Sequence, residues 1–214
     1  MTRRMTNLLG LAVLVYLEER PMHAYELHRQ LIDRDAAQTF RLSYGALYSV
    51  VRQLDAAGLI RPSGTDRTGR LPERTTYAVT DEGRAETRRW LSRLIAEPQH
   101  EYPAFAAALS LIIVLPPDDA RALLEARLGR LKGDVAAIAE RRTAIVDGGL
   151  HPIFVIEDEY RERVLGAEAD FIHVLLDRFD DPDAGWAEPW RAYHQGAPAT
   201  GARENTTDTR GEPS

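Results

Sequence analysis

Hydrophobic and polar positions divide the chain into segments with different periods. From Asn7 to Leu17 the run NLLGLAVLVYL is apolar on nearly every helical face, as a helix packed on several sides requires. Thr6 stands where its N-cap would fall. Pro21 interrupts the pattern, and a second helix is predicted from about His23 to Ile32, with Tyr25, Leu27 and Leu31 turned toward a core. A polar stretch, Asp33 to Arg41, leads into SYGALYSVVRQLDAAGLI. With Ser43 as N-cap, Leu42 and Leu47 occupy the two positions of a hydrophobic staple. At 100° per residue, Leu47, Val50, Val51 and Leu54 gather on one side. Gly45, Ser49, Arg52 and Ala56 lie opposite, with Tyr44, Tyr48 and Gln53 on the flanks. Gly58 ends the helix in the left-handed manner.

Leu59 to Arg61 reads as a short strand, Pro62 to Pro72 as a turn-rich loop, and Arg74 to Val79 alternates as a returning strand. Thr80 caps a further helix to about Ala96, with Asp81 and Glu82 in the first turn, where the macrodipole favours carboxylates. Three helices, a two-stranded hairpin and a fourth helix make the winged form of helix-turn-helix, the Gly-rich loop being its wing.

The rest is helical. Phe105, Leu109, Ile112 and Ile113 stripe a helix from Pro103 to Leu115, which Pro116 and Pro117 break. Leu124, Leu128, Leu131, Val135, Ile138 and Ile145 then keep the spacing of a coiled-coil seam, with Arg142 at the one missing position and Gly148 and Gly149 at the end. From Ile153 a last long helix shows Ile156, Tyr160, Val164, Ala167, Phe171, Leu175 and Phe179 as its seam. Two such helices cannot bury both seams alone, which points to packing against a second copy. The fold expected is therefore mainly α. Residues 1–97 form a winged helix-turn-helix domain with a two-stranded wing, and residues 98–180 a helical dimerisation and effector domain. Residues 181–214 form a mostly disordered tail in which Trp186 and Trp190 dock, with Gly196 to Ser214 expected to be disordered.

Composition narrows the chemistry. The 214 residues contain no cysteine, which removes disulfides, thiolate zinc sites and cysteine nucleophiles. The longest apolar run, Leu8 to Leu17, is about half of a bilayer span, and no cleavage site follows it, so a cytoplasmic protein with no membrane partner is expected. The net charge of −6 conceals an asymmetry: residues 1–100 carry 15 Lys and Arg against 12 Asp and Glu, while residues 101–214 carry 12 against 21. The mildly basic half permits a nucleic-acid partner. Catalysis finds no support. The six histidines hold no HExxH pair, and Gly64 to Gly69 has P-loop spacing but lacks the Lys that must follow. No enzyme activity, metal or cofactor is expected.

A DNA reader needs a helix with a small, polar leading face and cations where phosphates pass. Gly45 and Ala56 allow close approach, Ser49 and Arg52 reach base edges or phosphates, and Tyr44 and Tyr48 place hydroxyls at the rim. The DNA-contacting set is Thr6, Tyr25, Ser43, Tyr44, Gly45, Tyr48, Ser49, Arg52, Arg67, Arg70 and Arg74. Trp90, Tyr102, Phe105 and His173 are the candidate effector residues, aromatic groups suited to a flat small molecule, against a reading of the first three as ordinary packing. The alternative to DNA binding is a winged helix that contacts only protein.

The stretches TNLLGLAVLVYLEERPMHAYEL, LSYGALYSVVRQLDAAGLI and RTTYAVTDEGRAETRRWL resemble the PadR family of transcriptional regulators. Tyr44, Leu47, Tyr48, Leu54, Gly58, Leu59, Tyr77, Thr80 and Gly83 stand at the family's motif positions, with departures at Ala24, Val51 and Val79. The resemblance implies a homodimeric repressor on a palindromic operator, with C-terminal helices as the dimer interface and a small aromatic or drug-like effector.

Overall fold

The computed structural model describes residues 7–34, 39–66, 74–181 and 185–195. The chain forms two compact units, Met1–Glu101 and Tyr102–Ser214. The first contains α1 (Leu8–Glu19), β1 (Met22–His23), α2 (Ala24–Asp33), α3 (Tyr44–Ala56), β2 (Ile60–Asp66), β3 (Arg74–Val79) and α4 (Asp81–Ala96). α1 buries Leu9, Leu11, Val13, Leu14 and Leu17 because α3, α4 and β3 all lie against it, which is why its sequence is apolar all round. Its cap is Asn7, whose side chain accepts from the Leu9 amide at 3.1 Å; Thr6, the expected cap, lies outside the described residues. α2 starts one residue later than predicted, since His23 caps it, Nδ1 accepting from the Glu26 amide at 3.0 Å. Leu27 and Leu31 are fully buried, whereas Tyr25, also expected inside, is exposed. At 100° per residue Tyr25 lies about 160° round the helix from Leu27 and about 120° from Leu31.

The expected two-stranded wing is present as β2 and β3, and β1 adds a strand beside it. The sheet has three antiparallel strands in the order β1-β3-β2, Met22 facing Tyr77 and His23 facing Thr76. A two-residue strand carries no period, so only its partner reveals it. β2 also runs further than predicted, through Pro62 to Asp66, with one extra residue between Pro62 and Gly64 where the register shifts. Proline is tolerated because β2 is an edge strand.

The return from β3 into α4 is tied to the end of α3. Gly58, at φ +71, turns the chain out of α3. The Thr80 hydroxyl accepts from the Gly83 amide at 3.0 Å and points its proton at the Gly58 and Leu59 carbonyls, 2.8 and 3.1 Å away. The Thr80 amide also donates to Leu59 O at 3.0 Å. Gly83 fits because it has no side chain: a Cβ there would stand 2.0 Å from Leu59 O.

The second unit contains α5 (Ala104–Ser110), a 3-10 turn (Ile112–Val114), α6 (Pro117–Asp147), a second 3-10 turn (Pro152–Val155), α7 (Ile156–Asp180) and α8 (Ala187–His194). The single helix expected from Pro103 to Leu115 is interrupted at Leu111. Ser110 Oγ donates back to Ala107 O at 2.7 Å, and Leu115, ahead of Pro116, is extended, so the last turn tightens. α6 and α7 form an antiparallel hairpin, with Leu124, Leu131 and Ile138 buried along α6 as the spacing predicts.

On α7 the seam is not the predicted one, and its start falls at Ile156 rather than Ile153. Ile156, Tyr160, Val164, Ala167 and Phe171 are exposed, and of that stripe only Leu175 and Phe179 turn inward. The face against α6 is Asp158, Glu162, Leu165, Ala169, Ile172 and Leu176, a 4-3-4-3-4 spacing that hides because two carboxylates belong to it. Arg141 meets buried Asp158 at 2.6 Å and Arg142 meets Glu162 at 3.1 Å, so both charges are answered from α6. α8 lies in the predicted tail: Trp190 is buried, meets Phe179 at a tilt with ring centroids 5.4 Å apart and donates its indole N–H to Leu115 O at 2.9 Å. Gly196 to Ser214 lie outside the described residues.

Gly83→Ala is expected to destabilise the protein by about 3 kcal/mol, because the added methyl meets a backbone carbonyl that cannot move without unpicking the Gly58 turn. A lowered urea midpoint at unchanged slope measures it; an unchanged midpoint would show that the contact is soft.

Candidate nucleic-acid interface

α3 is two-sided. Leu47, Val50, Val51 and Leu54 are buried, and Leu42 and Phe40 pack on the same core ahead of the helix. Ser43 is the N-cap, its Oγ accepting from the Ala46 amide at 3.2 Å. The outward positions Tyr44, Gly45, Tyr48, Arg52 and Ala56 are exposed, and half-buried Ser49 accepts from Gln53 Nε2 at 3.2 Å. Nothing stands within 4 Å of where a Gly45 Cβ would be, so the glycine leaves open space above the helix. Tyr44 and Tyr48 stack with ring centroids 6.1 Å apart. Ser43, Tyr44, Gly45, Tyr48, Ser49 and Arg52 are thus brought together on one helix.

The remaining predicted residues are spread more widely. Tyr25 is exposed on α2, its ring 6.2 Å from that of His23. Arg74 begins β3 opposite Asp66, at the open end of the hairpin. Thr6, Arg67 and Arg70, and the side chain of Arg74, lie outside the described residues. Of the effector candidates, Trp90 is buried on α4 in the first unit. Tyr102, Phe105 and His173 belong to the second, where Tyr102 is exposed, Phe105 lies under the Arg127 guanidinium at 4.0 Å, and His173 faces Asp177 at 3.5 Å.

Charge near the face is sorted by pairing. Arg34 grips Glu19 with two hydrogen bonds of 2.8 and 2.9 Å and lies over Tyr16, and Arg20 pairs with Glu26. The hydrogen bonds from these guanidiniums hold both carboxyls below their ordinary pKa, while burial pushes the Tyr16 phenol up. Arg29, Arg84 and Arg89 are likewise matched to Asp33, Glu18 and to Glu82 with Glu86. Arg41, Arg52 and Arg61 enter none of the ion pairs among the described residues and are exposed. Arg41 and Arg61 were not singled out from the sequence, since neither lies on a periodic face. His28, whose ring lies on Tyr44 at 3.9 Å, was also missed, because a contact between separate helices leaves no spacing signal. Among the described residues no group of three His, Asp or Glu side chains could hold a metal, and no helix is long and apolar enough to cross a membrane.

The Transcriptional regulator PadR-like family model matches residues 13–89, which span α1 to most of α4. A probable transcriptional regulator of Mycobacterium tuberculosis is 28% identical over 134 residues, covering 63% of this chain and 65% of that protein's own length. Among solved structures, Bacillus subtilis PadR in complex with p-coumaric acid superposes with a TM-score of 0.67 at 18% identity, over 82% of this chain and 100% of that one. The same protein in complex with operator DNA gives 0.64 at 18%, over 81% and 98%. At these identities the structural likeness is one of fold.

Gly45→Ala is expected to stabilise the chain by a few tenths to ~1 kcal/mol, since the methyl meets nothing and the helix loses its most flexible residue. A higher urea midpoint checks it, and a lower one would mean that the open space is needed by the fold itself.

Proposed function

Because the PadR-like family model matches residues 13–89, we propose that the chain is a transcriptional regulator of that kind and binds duplex DNA with α3 in the major groove, as a homodimer. The observation that carries this reading is the division of α3. Four buried side chains hold the fold, and the outward face of Tyr44, Gly45, Tyr48, Ser49, Arg52 and Ala56 is small or polar. Such a face fits against base edges, with Arg52 long enough to reach a guanine. Arg41 and Arg61, which enter none of the ion pairs among the described residues, add phosphate contacts beside it, and Arg67, Arg70 and Arg74 extend them along the backbone. Ser43 holds the start of the helix, and Thr6 and Tyr25 complete the set. The Bacillus subtilis neighbour, solved with operator DNA, supports this reading by the likeness of fold.

The exposed stripe of α7 supplies the dimer. Ile156, Tyr160, Val164, Phe171 and Val174 are each between 47 and 68% exposed, and with Ala167 they recur at helical spacing on one side. A two-fold axis along that stripe lets each helix cover the other, and a dimer carrying two winged units suits two half-sites about one turn of DNA apart. Repression fits a dimer that occupies a palindrome. Release by a small aromatic compound is supported by the neighbour solved with p-coumaric acid.

Selection of bound duplexes from a random pool tests binding, symmetry and half-site spacing together. An enriched palindrome is expected, and a purified chain that retains no duplex in dilute buffer overturns the reading in favour of a protein-contacting winged helix. Arg52→Ala is expected to weaken binding to the selected duplex by ~1–3 kcal/mol and relax preference at one base pair, as gel shift across single-base variants would measure. Equal affinity for all variants before and after substitution would take Arg52 off the bases. Val164→Asp is expected to leave the helical circular dichroism intact while sedimentation shows one chain in place of two. A variant that still sediments as two chains moves the interface off α7.

A further inference from the structure

His28 is half-buried on α2, and its imidazole lies on the ring of Tyr44 with centroids 3.9 Å apart and planes 26° from parallel. Tyr44 in turn stacks on Tyr48, 6.1 Å away and 19° from parallel, and both tyrosines are 45% exposed. Three nearly parallel rings therefore run from the first helix of the helix-turn-helix onto the opening turns of the second. Tyr44 is the first residue of α3. A helical side chain normally leans on the turn before its own Cα, and at this position there is no such turn. The imidazole from α2 lies flat against the Tyr44 ring at this opening position of the helix.

We propose that His28 is a positioning residue for duplex binding: it holds Tyr44, and through it Tyr48, in the rotamers that present both phenols beside the outward face of α3, without touching DNA itself. The proposal rests on the duplex-binding reading of α3. Its physical content is preorganisation. Freezing a side chain at an interface costs affinity, and a ring already held by stacking no longer bears that cost. The stacked ring need not be a base or a cation, so any flat ring of similar size at position 28 should serve.

The test uses the full chain and the duplex that the wild-type chain selects. His28→Ala is expected to weaken binding about two- to tenfold, the loss that freezing one or two side chains implies. The dependence of affinity on salt should not change, because no phosphate contact is lost. His28→Phe, which keeps a ring on Tyr44, is expected to restore affinity to within about twofold. In a Tyr44→Ala background His28→Ala should have no further effect. Without DNA, the Tyr44 ring protons should move downfield in His28→Ala as the shielding of the stacked imidazole is lost. An equal loss in the Tyr44→Ala background, a shallower salt slope or a failed rescue by Phe would put the imidazole on the DNA and overturn the proposal. Unmoved Tyr44 resonances would overturn it too, by removing the stack. A wild-type chain that binds no duplex would instead overturn the DNA reading and with it the purpose assigned to His28, while the ring-proton shift would still report the stack.

Discussion

The Thr80 hydroxyl and the missing side chain of Gly83 decide how the winged unit is assembled. One oxygen meets the Gly83 amide in the first turn of α4 and the Gly58 and Leu59 carbonyls just past α3, so two segments distant in sequence close on a single point. The carbonyl of Leu59 takes part twice, accepting from the Thr80 amide and lying where a Gly83 Cβ would have to be. Without that approach β2 could not leave α3 at the angle that lets β3 pair back against it, and β1 would have no partner for Met22 and His23. The exit of α3, the root of the wing and the start of α4 therefore share one rigid joint.

The second unit rests on a different balance. Its hairpin is drawn together by Leu124, Leu131, Ala169, Ile172, Leu175 and Leu176, yet its register is marked by charge. Arg121, Arg127, Arg141 and Arg142 of α6 reach Asp180, Glu168, Asp158 and Glu162 of α7, always cation to anion in the same sense. A slip of one helix along the other would take the Arg141 guanidinium from buried Asp158 and leave it only Arg161 of its own helix, 3.6 Å away. α8 then closes one end of the hairpin, where Trp190 covers Phe179 and Arg191 reaches Asp118 at 3.2 Å.

Where a local rule acts alone, the sequence could be read closely. β3 and α4 fall at Arg74–Val79 and Asp81–Ala96, because alternation, a threonine cap and first-turn carboxylates all agree. Ser43, the buried four of α3 and the Gly58 turn follow for the same reason. β1 escaped because pairing, not propensity, makes it a strand. The contact face of α7 escaped because Asp158 and Glu162 look like surface until the arginines of α6 are placed beside them. Of the candidate interface, the α3 positions were legible from helical spacing. The stack that crosses from His28 to Tyr44 was not, and neither was the pairing of arginines with carboxylates on other elements, since both depend on which elements meet.

The split of α3 into an inward and an outward half has a further consequence. The inward side chains bear the packing, and Gly45, Arg52 and Ala56 on the outside touch none of it. A lineage could exchange those three residues one at a time without passing through an unfolded ancestor. If α3 reads duplex DNA as proposed, divergence in its target is then limited by usefulness alone, which lets one scaffold be inherited by regulators with unrelated addresses.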